Sequence, residues 1–299
     1  KFRHPDWNFA FAAEFGRAYS KNELEVMSVD SKIKGSVKFI EIPGGDTAML
    51  PAGGGASVYY SDAVVARGGK LGRIQFVRGS HLQNMYGWPG YWEGLPPMHY
   101  ATHCVSPCLG IVSGEAEFVS CLGSGRISEA RIAKYGSPFA FETAHFKVRN
   151  QDVAGEVTRY LFDTARQYRE SIDVYGDKKS VEWPLIEHEP LVLHTAKKPE
   201  PKIPSHVKCP DFAKRLPKPL QKYTTHGVYD SSKKTHLSFT QGSGHGGSHP
   251  HLVHAFMQAV MGKKSAFPDA ETSANWTMVG ICAHESAMKG GDRVVIPTF

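Results

Sequence analysis

The segment Gly72-Arg73-Ile74-Gln75-Phe76-Val77-Arg78-Gly79 alternates apolar and polar side chains, which is the period-two pattern of a β-strand. Further strand candidates follow it along the chain, at residues 116–121, 141–148, 156–162 and 171–175. Helices do not alternate regularly with these strands. The pattern therefore predicts an α+β fold with an open, mainly antiparallel sheet rather than a doubly wound parallel one.

Two helices are predicted near the end of the chain. Pro250 suits the first turn of a helix capped near Ser248 or His249. A second helix is expected to begin near Asp269, whose carboxylate can cap it, and to end near Lys289, before two glycines. The first helix carries an apolar stripe, formed by Leu252, Val253, Phe256, Val260 and Met261. Both helices are expected to lie against one face of the sheet.

The chain is predicted to divide into an atypical N-terminal segment, 1–69, and a larger domain, 70–299. At roughly 150 residues per domain, the length fits either one large domain or two modest ones. A helix at 8–19 and a strand at 36–42 make the first segment a short irregular or partial α/β piece. The glycine-rich run 51–56 lacks the G-x-G-x-x-G spacing, so a flexible turn is preferred over a phosphate-binding loop.

Composition excludes several classes of protein. A hydrophobic fraction of 41% is too high for a disordered chain. The net charge of +6 belongs mainly to the proline-rich segment 197–234, where few aromatic residues could stack on bases, so no nucleic-acid partner is expected. The sequence predicts neither a membrane helix nor a signal peptide. Five sparse cysteines without a C-x-x-C pair favour free thiols and a cytoplasmic location.

The segment His99-Tyr100-Ala101-Thr102-His103 is the first candidate for chemistry. If the segment is helical, His99 and His103 lie one turn apart and Tyr100 lies three residues before His103. An imidazole and a phenol in contact can pass protons to or from a sugar hydroxyl. The alternative is a structural histidine–tyrosine pair beside a turn.

Two further segments are candidates for ligand binding. The loop 88–97 carries Trp88 and Trp92 among three prolines, and such a loop either lines a pocket or covers the core. A second cluster contains four histidines, namely His245, His249, His251 and His254. No acidic residue lies among them and the spacing is not H-E-x-x-H, so no metal site is predicted. A glycine-rich loop bearing imidazoles suits the hydroxyl or anionic groups of a ligand.

The chain resembles the Gfo/Idh/MocA family of sugar-type oxidoreductases from about Lys70 to Pro297. The motifs that carry the resemblance are Lys70-Leu71-Gly72-Arg73-Ile74, Tyr100-x-x-His103, the loop His245–His251, and Asn275-Trp276-Thr277 followed by Cys282–Ser286. The matching part of that family is its C-terminal substrate domain, an open and mainly antiparallel sheet with helices on one face.

The resemblance implies NAD- or NADP-dependent hydride transfer at a hydroxyl of a sugar, glycoside or cyclitol. It makes His103 and Tyr100 the candidate catalytic residues. The candidate substrate-binding residues are His99, Trp88, Trp92, His245 and His249. The Tyr-x-x-His arrangement is similar to the branch that includes glycoside hydrolase family 109, which implies an alternative glycosidase or lyase reaction through a keto-sugar. The acid of the family's usual Asp–His pair would fall on His99 and is missing.

The N-terminal motifs of the family are not found in this sequence. Neither G-x-G-x-x-G nor a Glu-Lys-Pro segment is present, so no cofactor-binding residue is assigned. A non-catalytic sugar-binding or subunit-interaction module is therefore a further alternative. The resemblance also implies a homo-oligomer that associates through the sheet face.

Overall fold

The structure is a computed structural model and describes residues 19–30, 64–65, 70–88, 90–166, 168–186, 189–196, 203–224 and 248–299. The chain divides into two compact units, residues 1–48 with 90–92 and residues 49–89 with 93–299. The helix predicted at 8–19, the strand predicted at 36–42 and the glycine-rich run 51–56 lie outside the described residues, apart from Tyr19. The predicted boundary between 1–69 and 70–299 stays a prediction.

The described part of the first unit contains helix α1, Lys21–Asp30. Its N-terminus is held by a reciprocal pair of side chains. The Ser20 N–H donates to Glu23 Oε2 at 2.8 Å, and the Glu23 N–H donates to Ser20 Oγ at 3.2 Å. This is a capping box, which satisfies two backbone donors that a helix start otherwise leaves open.

The second unit is built on one open sheet. Its nine strands are β1 (Ile74–Leu82), β2 (Ala116–Ser124), β3 (Phe141–Val148), β4 (Ala154–Tyr160), β5 (Arg169–Gly176), β6 (Lys179–Glu182), β7 (Leu191–Thr195), β8 (Ser205–Val207) and β9 (Val294–Val295). They lie in the order β8-β7-β6-β5-β1-β4-β3-β2-β9. Among these pairings only β1 with β4 is parallel. The predicted α+β class with a mainly antiparallel sheet is confirmed.

Helices and short 3-10 turns connect and cover the strands. The helices are α2 (Thr102–Val112), α3 (Glu129–Tyr135), α4 (Lys218–Gln221), α5 (His249–Val260) and α6 (Ala270–Met288). The predicted starts of the last two are confirmed, because Ser248 is the N-cap of α5 and the Asp269 carboxylate accepts the Thr272 N–H at 2.9 Å. A 3-10 turn, Pro97–Tyr100, leads into α2.

Helices α2 and α6 pack on one face of the sheet, as predicted. Buried side chains from both helices and from the central strands form the core, including Val105, Leu109, Val279, Val77, Val157 and Ile172. Helix α5 differs from the prediction, because Leu252 and Val253 on its apolar stripe are 43% and 60% exposed. Helical periodicity shows which residues share a face, but it does not show what covers that face.

Helix α2 is continuous through Pro107. Ala101 separates it from the preceding 3-10 turn. Proline removes one backbone donor from the helix, and burial of α2 against the sheet compensates for this loss. The approach is close, since a Cβ added to Gly79 in β1 would lie 2.5 Å from the carbonyl oxygen of Cys104.

Gly79→Ala is therefore expected to lower the free energy of unfolding by roughly 1–3 kcal/mol, because the new methyl forces α2 away from the sheet. Circular dichroism melting of the parent and the variant measures this. Gly90→Ala is the control, because its added methyl meets no atom within 4 Å. Equal melting temperatures for the parent and Gly79→Ala would show that the contact is not close.

Candidate active site

Four ionisable side chains form a row across four adjacent strands, on the face that α2 and α6 cover. Glu142 of β3 is opposite Arg159 of β4. Arg159 is opposite His81 of β1, which is opposite Glu170 of β5. Each of the four is at most 1% exposed. We call Glu142, Arg159, His81 and Glu170 the polar row.

The carboxylate of Glu170 binds two side chains. Its Oε1 lies 2.9 Å from Nδ1 of His103, in the first turn of α2. Its Oε2 accepts the phenol hydrogen of Tyr168 at 2.8 Å. Because a carboxylate offers only acceptors, Nδ1 of His103 is the nitrogen that carries the hydrogen in this bond. The histidine is 5% exposed, so this contact is almost fully desolvated.

Tyr100 and His103 lie together, as the sequence predicted. Their ring centroids are 4.8 Å apart, and His81 packs on His103 with the centroids at 4.3 Å. The Arg159 guanidinium binds the backbone of Tyr100 and His81. Its Nε donates to the Tyr100 carbonyl at 2.7 Å, its Nη1 donates to the His81 carbonyl at 2.6 Å, and its guanidinium lies 4.7 Å from the centre of the Tyr100 ring. His103 is thus enclosed by aromatic rings.

A second histidine–glutamate pair lies at the other end of the polar row. Nδ1 of His284, from α6, donates to Glu142 Oε1 at 2.6 Å, and the Met98 N–H donates to Glu142 Oε2 at 2.7 Å. The His284 ring meets His99 edge to face, with the centroids 4.8 Å apart. His99 is exposed overall, but partial desolvation of its ring and the neighbouring His284 lower its pKa to about 4. His99 is therefore uncharged at neutral pH.

Burial sets the charge states of two more groups near His103. It lowers the pKa of Arg159 to about 10, so the guanidinium keeps its charge at neutral pH. It raises the pKa of the Cys104 thiol to about 12, so that thiol is protonated. Thiolate chemistry at Cys104 is therefore excluded at neutral pH, and the chemistry open to this cluster is proton transfer and hydrogen bonding.

His81, His103 and Glu170 also offer ligand atoms that lie within 4.8 Å of one another. Two imidazoles and one carboxylate are a donor set known for zinc. A metal ion here would have to replace the direct His103–Glu170 bond and would lie close to the Arg159 guanidinium. Bringing another cation beside a buried guanidinium is costly. The arrangement fits a hydrogen-bonded acid–base cluster better than a metal centre.

The other predicted site residues lie on other segments or outside the described residues. Trp88 follows β1 in a turn and is 41% exposed. Trp92 belongs to the first unit, in the 3-10 turn Gly90–Trp92, where its ring lies against Tyr91. His249 is the exposed first residue of α5, and His245 lies outside the described residues. Their role in substrate binding stays a prediction.

The sequence patterns did not predict the polar row or the role of His284. They did contain a signal for two members of the row, because Glu142 and Arg159 occupy inward positions of β3 and β4, in step with the buried apolar residues of those strands. A charged residue at an inward position of a strand needs a buried partner. His81 and Glu170 fall outside the strand limits that the sequence predicted, so the same reasoning does not reach them.

The residues of the last resemblance motif fix α6 to the sheet. The Asn275 side chain accepts the Ala116 N–H at 2.8 Å and donates to the Ala116 carbonyl at 3.0 Å, as a neighbouring strand would. The Trp276 indole donates to the Gly114 carbonyl at 3.1 Å. The hydroxyl of Ser286 accepts the Cys121 N–H at 2.8 Å. These contacts place His284 over Glu142.

The fold is similar to that of solved sugar and cyclitol dehydrogenases. Levoglucosan dehydrogenase in complex with NADH and levoglucosan is 17% identical, with a TM-score of 0.55 over 81% of this chain and 64% of that chain. An inositol dehydrogenase homologue from Azotobacter vinelandii, complexed with NADH and myo-inositol, is 15% identical, with a TM-score of 0.52 over 81% and 62%. An NAD-binding oxidoreductase from Klebsiella pneumoniae is 13% identical, with a TM-score of 0.53 over 82% and 64%. This chain spans less than two thirds of the length of each.

The sequence comparisons concern a different part of the chain. A family model described as ATP citrate lyase citrate-binding matches residues 17–74, upstream of most of the described sheet. No curated protein matches the sequence. Among the residues that the structure describes, no helix is long and apolar enough to cross a membrane.

The lowered pKa of His99 predicts how stability depends on pH. The folded value is about 4 and the ordinary value is 6.5, so between them the unfolded chain binds more protons at this residue. The fold therefore loses stability as the pH falls from about 6.5 to about 4. His99→Gln is expected to make this loss less steep, measured as melting temperature against pH. His254→Gln on α5 is the control, and identical slopes for His99→Gln and the parent would contradict the assignment.

Proposed function

We propose that the domain from residue 70 onward is the substrate domain of an oxidoreductase that acts on a hydroxyl group of a sugar or cyclitol. The observation that carries the proposal is the His103 imidazole, bonded through Nδ1 to buried Glu170 and packed against Tyr100. The fold shared with levoglucosan dehydrogenase and the inositol dehydrogenase homologue, both solved with NADH and their polyol ligands, supports this class of substrate.

The proposed chemistry of this chain is proton transfer at the substrate oxygen. The Nδ1 bond to Glu170 makes Nε2 the basic nitrogen of His103, and Nε2 accepts the proton of the substrate hydroxyl. The Tyr100 phenol provides a second hydrogen-bonding group beside the imidazole. His99, beside His284, is proposed to bind another hydroxyl of the same ligand.

A nicotinamide dinucleotide accompanies this fold in the neighbours, and the described residues of this chain do not fit one. A dinucleotide site needs a glycine turn that joins a strand directly to a helix N-terminus, where the pyrophosphate binds. Between β1 and α2 lies a long connection with a 3-10 turn, and the first turn of α2 faces the Glu170 carboxylate. A diphosphate would be repelled there. We therefore derive no step of the reaction through the nucleotide.

His103→Ala is expected to weaken the binding of levoglucosan or myo-inositol by roughly 10- to 100-fold, because a hydrogen bond to a polar side chain is lost. Isothermal titration of the parent and the variant with each compound measures this. His145→Gln is the control, since His145 is exposed on the opposite face of β3. Equal affinity in His103→Ala and the parent, or no binding of either compound by the parent, would refute the proposed function.

The sheet face opposite α2 and α6 is proposed to pair two copies of this chain. Thr143 and Thr158 join their hydroxyls at 3.2 Å on this face, and Arg78 pairs with Glu156 at 3.3 Å. Leu122 on the same face is 64% exposed. A broad surface with mixed polar and apolar groups is typical of a subunit interface.

Leu122→Asp would bury a charge in this interface. We therefore expect the substitution to convert a dimer into a monomer, with an unchanged melting temperature. Size-exclusion chromatography with light scattering measures the mass. Leu185→Asp is the matched control, since Leu185 is 73% exposed in a loop. A monomeric parent would exclude this mode of association.

A further inference from the structure

Glu170 is buried more completely than the histidine it binds, being 0% exposed against 5% for His103. We propose that Glu170 is a positioning residue that keeps the hydrogen of His103 on Nδ1 and makes Nε2 the nitrogen that exchanges a proton with the substrate. This inference rests on the proposed function and adds to it a residue that the sequence motifs do not assign.

The carboxylate of Glu170 is held in one orientation. Its backbone lies in β5, paired with His81 of β1 in the middle of the sheet. Its Oε2 accepts the Tyr168 hydroxyl at 2.8 Å, which leaves Oε1 directed at His103. A group fixed by both its backbone and its second oxygen can impose an orientation on its partner.

The imidazole of His103 has little freedom of its own. The ring packs against both His81, at 4.3 Å between centroids, and Tyr100, at 4.8 Å. Turning the ring over would put a carbon in place of Nδ1 opposite Glu170 and would break the hydrogen bond. The position of the carboxylate therefore decides which nitrogen carries the hydrogen.

The same carboxylate stabilises the product of the proton transfer. In that transfer the O–H bond of the substrate breaks, an Nε2–H bond forms and the electron pair stays on the substrate oxygen. The resulting imidazolium lies beside the negative charge of Glu170, which favours the protonated ring. The titratable and charged groups that face His103 from the elements packed around it are Glu170, Tyr168, His81, Tyr100, Arg159 and Cys104.

A merely structural role is the alternative, in which Glu170 only joins α2 to the sheet. The two roles differ in what a neutral isostere does. Glutamine at position 170 can still accept the Nδ1 hydrogen, so it keeps the contact between α2 and β5 while removing the charge. Glu142→Gln makes the same change in the other histidine–glutamate pair of the polar row and is the matched control.

The test is nitrogen-15 NMR of the histidine rings in the full chain, titrated with pH, for the parent, Glu170→Gln, Tyr168→Phe and Glu142→Gln. The expected parent spectrum shows the hydrogen of His103 on Nδ1. Glu170→Gln is expected to lower the pKa of His103 by about 1–3 units, and Tyr168→Phe by less, in the same direction. Glu142→Gln is expected to leave the His103 signals unchanged.

The binding counterpart is isothermal titration of levoglucosan and myo-inositol at varied pH. Glu170→Gln is expected to move the pH at which protonation of His103 weakens binding to a lower value. A change that appears only in melting temperature would show that Glu170 acts as a structural link.

Three results would overturn the proposal from the NMR side alone. The first is a parent spectrum that shows the His103 hydrogen on Nε2. The second is an unchanged His103 pKa in Glu170→Gln. The third is one zinc ion bound per chain by the parent and none bound by Glu170→Gln. If Glu170→Gln does not fold, the parent spectrum and Tyr168→Phe still decide. Because NMR needs no sugar, the positioning result is independent of whether the chain turns over a polyol.

Discussion

The pairing of buried charges in the polar row is the constraint on which the rest of the second unit depends. An ion removed from water without a partner costs several kcal/mol, so the charged members of the row, Glu142, Arg159 and Glu170, must each be matched by another element. Glu142 accepts hydrogen bonds from the turn before α2 and from His284 of α6. Glu170 accepts one from His103 of α2. The Arg159 guanidinium donates to the carbonyl of Tyr100. The row therefore fixes α2, the turn before it and α6 through specific bonds.

Apolar packing alone would not fix these positions. Apolar rows lie beside the polar row on the same face, and Ala144, Val157 and Ile172 of the first of them pack with α2 and α6. Such surfaces tolerate small shifts of one element over another, whereas a hydrogen bond between buried charged groups does not. The apolar rows supply most of the free energy of folding, and the polar row selects the register of α2 over β1. The contact of Gly79 with Cys104 is a consequence of that register.

The sequence predicted the elements better than their ends. The limits of β3 agree with the prediction, 141–148, and apolar residues stand at every second position from Ala144 to Val148. Strands β1 and β5 extend past their predicted limits into His81 and Glu170, since polar residues there resemble strand ends until their partners across the sheet are known. For the site, Tyr100 and His103 could be found from their spacing. Glu170 is 67 residues from His103, and only the fold brings them together.

The two histidine–glutamate pairs share one design and differ in their surroundings. His103 is enclosed by two aromatic rings and bonded to a carboxylate, which suits an imidazole that gains and loses charge. His284 instead touches His99, whose pKa of about 4 keeps it neutral at physiological pH. A neutral imidazole offers one donor and one acceptor, the same combination as an alcohol. In the proposed reaction, one end of the row moves a proton and the other binds the neighbouring hydroxyls of the ligand.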